Sequence, residues 1–435
     1  MTRIPKTLLI VCACLSFVLP SAWLIWFAVE RHGLNAALAD LRAKGKPTSF
    51  AELAPPPIPD EENAVPVYSL AYTRYEGLPD ETRSTLEHLI RKRSPLTEEE
   101  VNQARVLLDS CADVFALIHQ GDQKPSFRLT VNYAALDPDQ WTLPEVGDLR
   151  RLADLLRLSA KIEFACGRYD QAPEHIDRLL HISHGLYRAP ILIVTLTAIS
   201  TEGAALNTLE TFLDRSDAEE TVLRSLLQSL PDPEDRTPII RVLSGERALG
   251  LSVLRFARTA KTRASSSRSS IPRRPSILAE PFFAHEELIF LQGMDALISL
   301  ARQPTADSPH GLEDWDKEFL ENRYSLLAKV LLSSNSRASV AQDNALARRG
   351  LARLAVTLRL YRMESGHYPD SLSQLVPDFL DKLLSDPFSR KDFVYRKEGQ
   401  GFVLYSVGDD LTDDGGAQWD QRHPGHSDIV WKCSR

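Results

Sequence analysis

Cysteine is scarce. Five cysteines in 435 residues, two of them (Cys12 and Cys14) inside the first apolar run, are too few for a disulfide framework. Cys111 and Cys166 could pair in an oxidising compartment; the plainer reading is two small core residues. Excess positive charge is also missing. The 51 Lys and Arg stand against 59 Asp and Glu, a formal charge of −8, which disfavours non-specific nucleic-acid binding. Locally encoded chemistry is missing too: there is no Gly-x-Ser-x-Gly elbow, His-Glu-x-x-His, dinucleotide glycine fingerprint or zinc ribbon. Gly45-Lys46-Pro47-Thr48 ends like a phosphate loop, but the earlier glycine is absent and Pro47 interrupts it. No catalytic residue is assigned, which leaves open only a site assembled from distant segments.

What is present begins with a long apolar run. Arg3 and Lys6 precede 23 uncharged residues, 7–29, rich in Leu, Ile, Val and Phe. At ~1.5 Å per residue such a helix crosses a hydrocarbon core of ~30 Å. Pro20 is expected to kink it, and Trp23 and Trp26 lie near the far end, where indoles favour the interface. A cleaved signal peptide would need a small-x-small site, which the sequence around Pro20-Ser21-Ala22-Trp23 lacks. Residues 1–30 therefore read as a retained signal anchor. The basic residues before the run predict a cytoplasmic amino terminus and an exported body. Residues 190–200 are apolar as well, but Glu202 ends that run at the length of a buried core helix.

Residues 31–81 are expected to form an extended spacer, from the prolines of Ala54-Pro55-Pro56-Pro57-Ile58-Pro59, which would lift the body off the bilayer. Residues 82–341 read as a helical domain, a bundle of helical hairpins. Thr97 followed by Glu98, Glu99 and Glu100 makes a helix start. Leu149, Leu152, Leu156, Ala160 and Phe164 form one buried stripe. The turn Gly167-Arg168-Tyr169-Asp170-Gln171-Ala172 resembles that of a tetratricopeptide repeat, without a second copy to make an array. Residues 258–276 are rich in Ser and Arg, read as a solvated loop or as a contact for anionic lipid or an acidic partner. Helical signals resume over 286–300 and 315–332.

Residues 342–435 are more specific. Ala347, Leu351, Leu354, Leu358 and Tyr361 step by four and three along one helix face, with Arg348, Arg349, Arg353, Arg359 and Arg362 on the rest. Gly366 and Pro369 end that helix, and strand-like runs at Phe393-Val394-Tyr395 and Phe402-Val403-Leu404-Tyr405 flank a hairpin at Gly399-Gln400-Gly401. Together with Gly366-His367-Tyr368-Pro369, Asp386-Pro387, Tyr405-Ser406-Val407-Gly408 and Asp428-Ile429-Val430, this pattern over 345–431 resembles the globular domain of the type II secretion major pseudopilin. The resemblance implies a small α+β module, one helix plus a short antiparallel sheet. It also implies structural Ca²⁺ in the loop after the last hairpin, where 409–428 holds six aspartates. Clustered carboxylates suit a cation that takes about six to eight oxygens. Asp410 and Asp428 match the family's loop and closing aspartates; Asp409, Asp413 and Asp414 join them by proximity. A pseudopilin leader glycine and early glutamate are missing from 7–29, so leader processing and fibre assembly are not implied. The whole chain resembles bacterial envelope proteins that combine these parts, which supplies no activity.

Other candidate ligands are sparse. His175, His181 and His184 share a helical stretch, with His175 on a different face, and His423 and His426 flank Pro424-Gly425. The expected fold is thus mainly α: an N-terminal transmembrane helix, a helical-hairpin bundle and a small C-terminal α+β module. The expected function is a non-catalytic, single-pass inner-membrane protein with an interaction or scaffold role among envelope proteins. The alternatives are a hydrolase with its site in the helical domain and a type II secretion or pilus-like component.

Overall fold

The computed structural model describes residues 6–92, 94–135, 142–259, 279–308, 310–321, 323–417 and 428–434. The basic Ser/Arg stretch lies almost wholly outside these residues, as do His423 and His426. The described chain is mainly helical with one small sheet, as the apolar periodicities require.

The first helix, α1 (Lys6–Ala43), runs through Pro20 without interruption and has two distinct halves. Phe17 is 79% exposed, and Val18, Leu19, Leu24, Ile25 and Val29 are also uncovered; Leu34, at 3%, and Leu38 and Leu41 are buried. The buried half packs on α11 (Glu280–Ala301), in a core shared with α10 (Thr237–Thr259) and with Phe319, Ala328 and Leu332. Most of the expected spacer, 31–81, is therefore not extended. Helix α1 continues to Ala43, α2 (Ala64–Glu76) buries Val65, Tyr68 and Tyr75, and α3 (Asp80–Arg91) begins before its end. The prolines at 55–57 and 59 only carry the chain between two packed helices, so they do not separate the body from α1.

A larger core gathers α2 to α9. Helix α4 (Glu98–Asp109) opens with the expected cap: Thr97 Oγ1 accepts from Glu100 N, and Glu100 Oε2 accepts from Thr97 N. Helices α5 (Ala112–Asp122) and α6 (Pro144–Ala165) follow, and the expected stripe on α6 is buried. Gly167, at φ 71°, makes the turn into α7 (Ala172–Leu186), which packs closely on α8 (Leu192–Arg215). Among the described residues, α8 is long and apolar enough by length and composition to cross a membrane, but half of that stretch is buried. It is a central core helix, followed by α9 (Glu220–Ser229), which packs on α7. Cys111 and Cys166 are free thiols, so the bridge considered from sequence does not form. Residues 315–332, read as one helix, are divided into α12 (Gly311–Trp315), a π-helical turn (Asp316–Glu321) and α13 (Leu327–Ser333).

Helix α14 (Ala338–Ser365) ends at Gly366, φ 77°, whose N–H donates to Arg362 O. Strands β1 (Val394–Glu398), β2 (Gly401–Ser406) and β3 (Ile429–Cys433) form an antiparallel sheet in the order β1-β2-β3, with Glu398 opposite Gly401 at the hairpin. Ala347, Leu351, Leu354 and Leu358 of the expected stripe on α14 are buried in the same core as α6, α8 and the sheet residues Phe402, Leu404 and Trp431, and Tyr361 is half-buried against it. The boundary at 342 thus falls inside a helix, and the module shares its core with the bundle.

The arginines of α14 are not simply its solvated face. Arg349 is wholly buried and makes a bidentate pair with the equally buried Glu202 of α8, Nε and Nη2 each 2.7 Å from a carboxylate oxygen. Arg353 donates to the carbonyls of Leu227 and Leu230, and Arg359 to that of Ser216. These groups satisfy the carboxyl ends of α8 and α9. Removing one member of a buried pair strands the other, at about 3–5 kcal/mol, whereas removing both leaves no uncompensated charge. Arg349→Met and Glu202→Leu should each lower stability by roughly that amount, and the double variant by clearly less than their sum. A double-mutant cycle of denaturant melts measures the coupling.

Candidate functional site

The aspartates named from sequence surround the end of β2. Ser406, the last residue of β2, donates to Asp386 Oδ1 at 2.7 Å, and Asp386 also accepts from Ser389 Oγ and Phe388 N. This buried carboxylate anchors the start of the loop; it drew attention from sequence only as part of Asp386-Pro387. Beyond it, Asp410 Oδ1 accepts from Thr412 N, closing a local turn. Asp413 Oδ1 accepts from Tyr405 Oη and Gly415 N, both at 2.9 Å. Asp428 Oδ2 accepts from Gly416 N at 2.8 Å, while its buried Oδ1 has no partner among the described residues. Burial and the neighbouring Asp414 and Asp413 push the Asp428 carboxyl above its ordinary range. Asp409 and Asp410 point outward and are exposed.

The loop therefore places Asp428, Asp413 and Asp414 near one another and leaves Asp409 and Asp410 at its rim. Among the described residues, no group of three or more His, Cys, Asp or Glu is arranged to hold a metal ion. Residues 418–427 of the loop lie outside the described residues. Among the described residues of the loop, the Asp428 oxygen without a partner is the feature that suits a cation. If calcium sits there, adding it at millimolar concentration raises the melting temperature of the full-length protein, and Asp428→Asn removes the rise. An unchanged melting temperature removes calcium from the account.

The histidines of α7 do not converge. Buried His175 has no partner for either ring nitrogen among the described residues, His181 is half-buried at a different cleft, and His184 is exposed. Burial lowers the pKa of His175 and His181, which favours their neutral forms.

That different cleft, of about 410 Å³, lies between α5 and α7 and was not read from sequence. It is lined by His119, Asp122, Gln123, Glu174, Asp177, Arg178 and His181. Asp122 Oδ1 accepts from Tyr68 Oη at 2.7 Å, and Arg178 Nε lies 3.5 Å from Oδ2. Tyr68 reaches across because Gly121 has no side chain; a Cβ there would lie 2.6 Å from the tyrosine ring. Burial raises the Asp122 carboxyl to about 6, against the lowering effects of Tyr68 and Arg178. Burial also raises Asp177. The cleft can hold and exchange protons; among the described residues its lining has no Ser, Thr, Cys or Lys, so a covalent step there would fall to a carboxylate or an imidazole. The signal for it was split among three helices: Tyr68 on α2, Asp122 on α5 and Arg178 on α7.

Comparisons with protein-family models, with curated proteins and with solved structures give no match to this chain.

The Asp122 shift has a sign that can be measured. A carboxyl whose folded pKa exceeds its unfolded one binds more protons when folded, so stability falls as pH rises from about 4 to about 6. The loss attributable to Asp122 is about 2–3 kcal/mol, reached by neutral pH. Thermal melts across that range should show Asp122→Asn losing less stability than the unaltered chain as pH rises. Parallel curves for the two proteins would contradict the assignment.

Proposed function

We propose that this chain is a non-catalytic bacterial envelope protein, held in the inner membrane by residues 7–29, with its amino terminus cytoplasmic and its body outside. The supporting observation is the divided character of α1. Its later half is an ordinary core helix, while Phe17, Val18, Leu19, Leu24, Ile25 and Val29 lie bare. At about 1.5–3 kcal/mol for each such side chain removed from water, lipid would recover on the order of 10 kcal/mol. Arg3 and Lys6 support the orientation.

Within that reading the body serves as an interaction scaffold. An open groove of about 450 Å³ where α3, α6 and α8 meet has an apolar floor that includes Leu96, Leu158 and Phe164. Lys161 and Arg215 on its rim suit an acidic envelope partner, while Lys92 and Arg157 there are already paired with Glu100 and Asp154. The pseudopilin likeness over 345–431 remains part of this proposal on its sequence pattern, and one helix beside a small antiparallel sheet does not by itself carry a secretion role. The cleft with Asp122 and His181 favours a hydrolase as second reading, with its carboxylates and imidazoles as the candidate acid, base or nucleophile.

Carbonate washing should leave the protein in the membrane pellet, and a carboxyl-terminal alkaline phosphatase fusion should be active while a cytosol-only reporter is not. Release by carbonate, or the opposite reporter pattern, would overturn the proposal.

A further inference from the structure

The exposed apolar side chains of the body are unevenly placed. Outside α1, Tyr324 is 96% exposed, Leu326 67% and Val330 66%, all within seven residues that lead into and form the first turns of α13. Single exposed apolar residues are ordinary, but a fixed cluster of them marks an interaction surface. Leu326 and Val330 are four apart and share the outer face of α13, while Ala328 and Leu332 turn into the core.

The cluster is held firmly. Glu286 of α11, wholly buried, accepts from Leu326 N and Ala328 N, each at 2.8 Å, and so fixes the start of α13. Its neighbour His285 fixes where the cluster lies: Nδ1 is 3.0 Å from Glu30 Oε1 of α1, and Nε2 is 2.9 Å from the Tyr324 carbonyl. Glu30 directly follows Val29, the last of the bare apolar residues, and also accepts from Trp26 Nε1. One imidazole thus ties Tyr324 to the place where α1 changes from uncovered to packed.

We infer that Tyr324, Leu326 and Val330 form a second membrane contact, seated in the headgroup region of the bilayer that α1 crosses. The inference rests on the reading of α1 as a membrane span. A helix leaving lipid at residue 29 brings the Tyr324 backbone to the interface, where tyrosine's apolar ring and polar hydroxyl are both accommodated. Leu326 and Val330 supply the aliphatic part. Arg323 and Lys329 line the adjoining cleft with Phe282, but Glu318 pairs with Arg323 and Glu321 lies on the same rim. The contact is therefore driven by apolar insertion and not by net positive charge.

The test is photo-crosslinking of the full-length protein in phosphatidylcholine vesicles. A benzophenone side chain replaces Val18, Tyr324, Val330 or, as a control, the exposed Val106 on α4, and lipid adducts are read by mass spectrometry. Positions 18, 324 and 330 should give adducts at least about fivefold above position 106. Lipid adducts at 18, with 324 and 330 no higher than 106 or captured only by protein, would overturn the second contact and leave the span standing. No lipid adduct at 18 would overturn both.

Discussion

The architecture depends on the buried pair between Arg349 and Glu202. It joins α14, which carries the sheet, to α8, the helix at the centre of the bundle. The Tyr187 ring lies 5.2 Å from the guanidinium, and the Asp232 carbonyl accepts from Nη1. A charge pair in so dry a place contributes little net stability over apolar residues of the same size, yet it penalises every arrangement that separates its members. It therefore fixes how the helical and β parts meet more than it adds strength, and the guanidinium groups of Arg353 and Arg359 add further ties from α14, to backbone carbonyls.

The local parts of this arrangement were readable in sequence. The Thr97 box, the Gly167 turn, the helix end at Gly366, the hairpin at Gly399 and the stripe on α14 each depend on residues a few positions apart. What sequence hid depends on partners far along the chain. Arg349 reads as a solvated cation until α8, 147 residues away, supplies Glu202. The prolines after Ala54 read as a spacer because proline reports only its own backbone; that both flanking helices pack into cores is a tertiary fact. The same limit concealed the cleft around Asp122, whereas the aspartate loop was visible because its members are neighbours. Even there, which carboxylates are occupied by backbone donors, and which oxygen of Asp428 finds no partner among the described residues, is decided only by the fold.

Asp122 and Asp428 illustrate one constraint in two settings. Each carboxyl is pushed towards its protonated form by burial, and each keeps only part of the hydrogen bonding that would offset this. Asp122 is held by a tyrosine and an arginine from other helices, so its environment is as rigid as the bundle. Asp428 sits where a loop meets β3, and its supports are backbone amides of that loop. Each leaves one oxygen without a hydrogen-bond partner among the described residues; that of Asp122 faces Arg178, and that of Asp428 lies beside the carboxylates of its own loop.

Because α1 continues without a joint from its bare half into its packed half, no swivel separates them. Inserting one residue between Val29 and Leu34 would turn everything downstream by about 100° around the helix axis and shift it by about 1.5 Å. The direction in which the rest of the molecule faces is therefore written in the count of residues along a single rod.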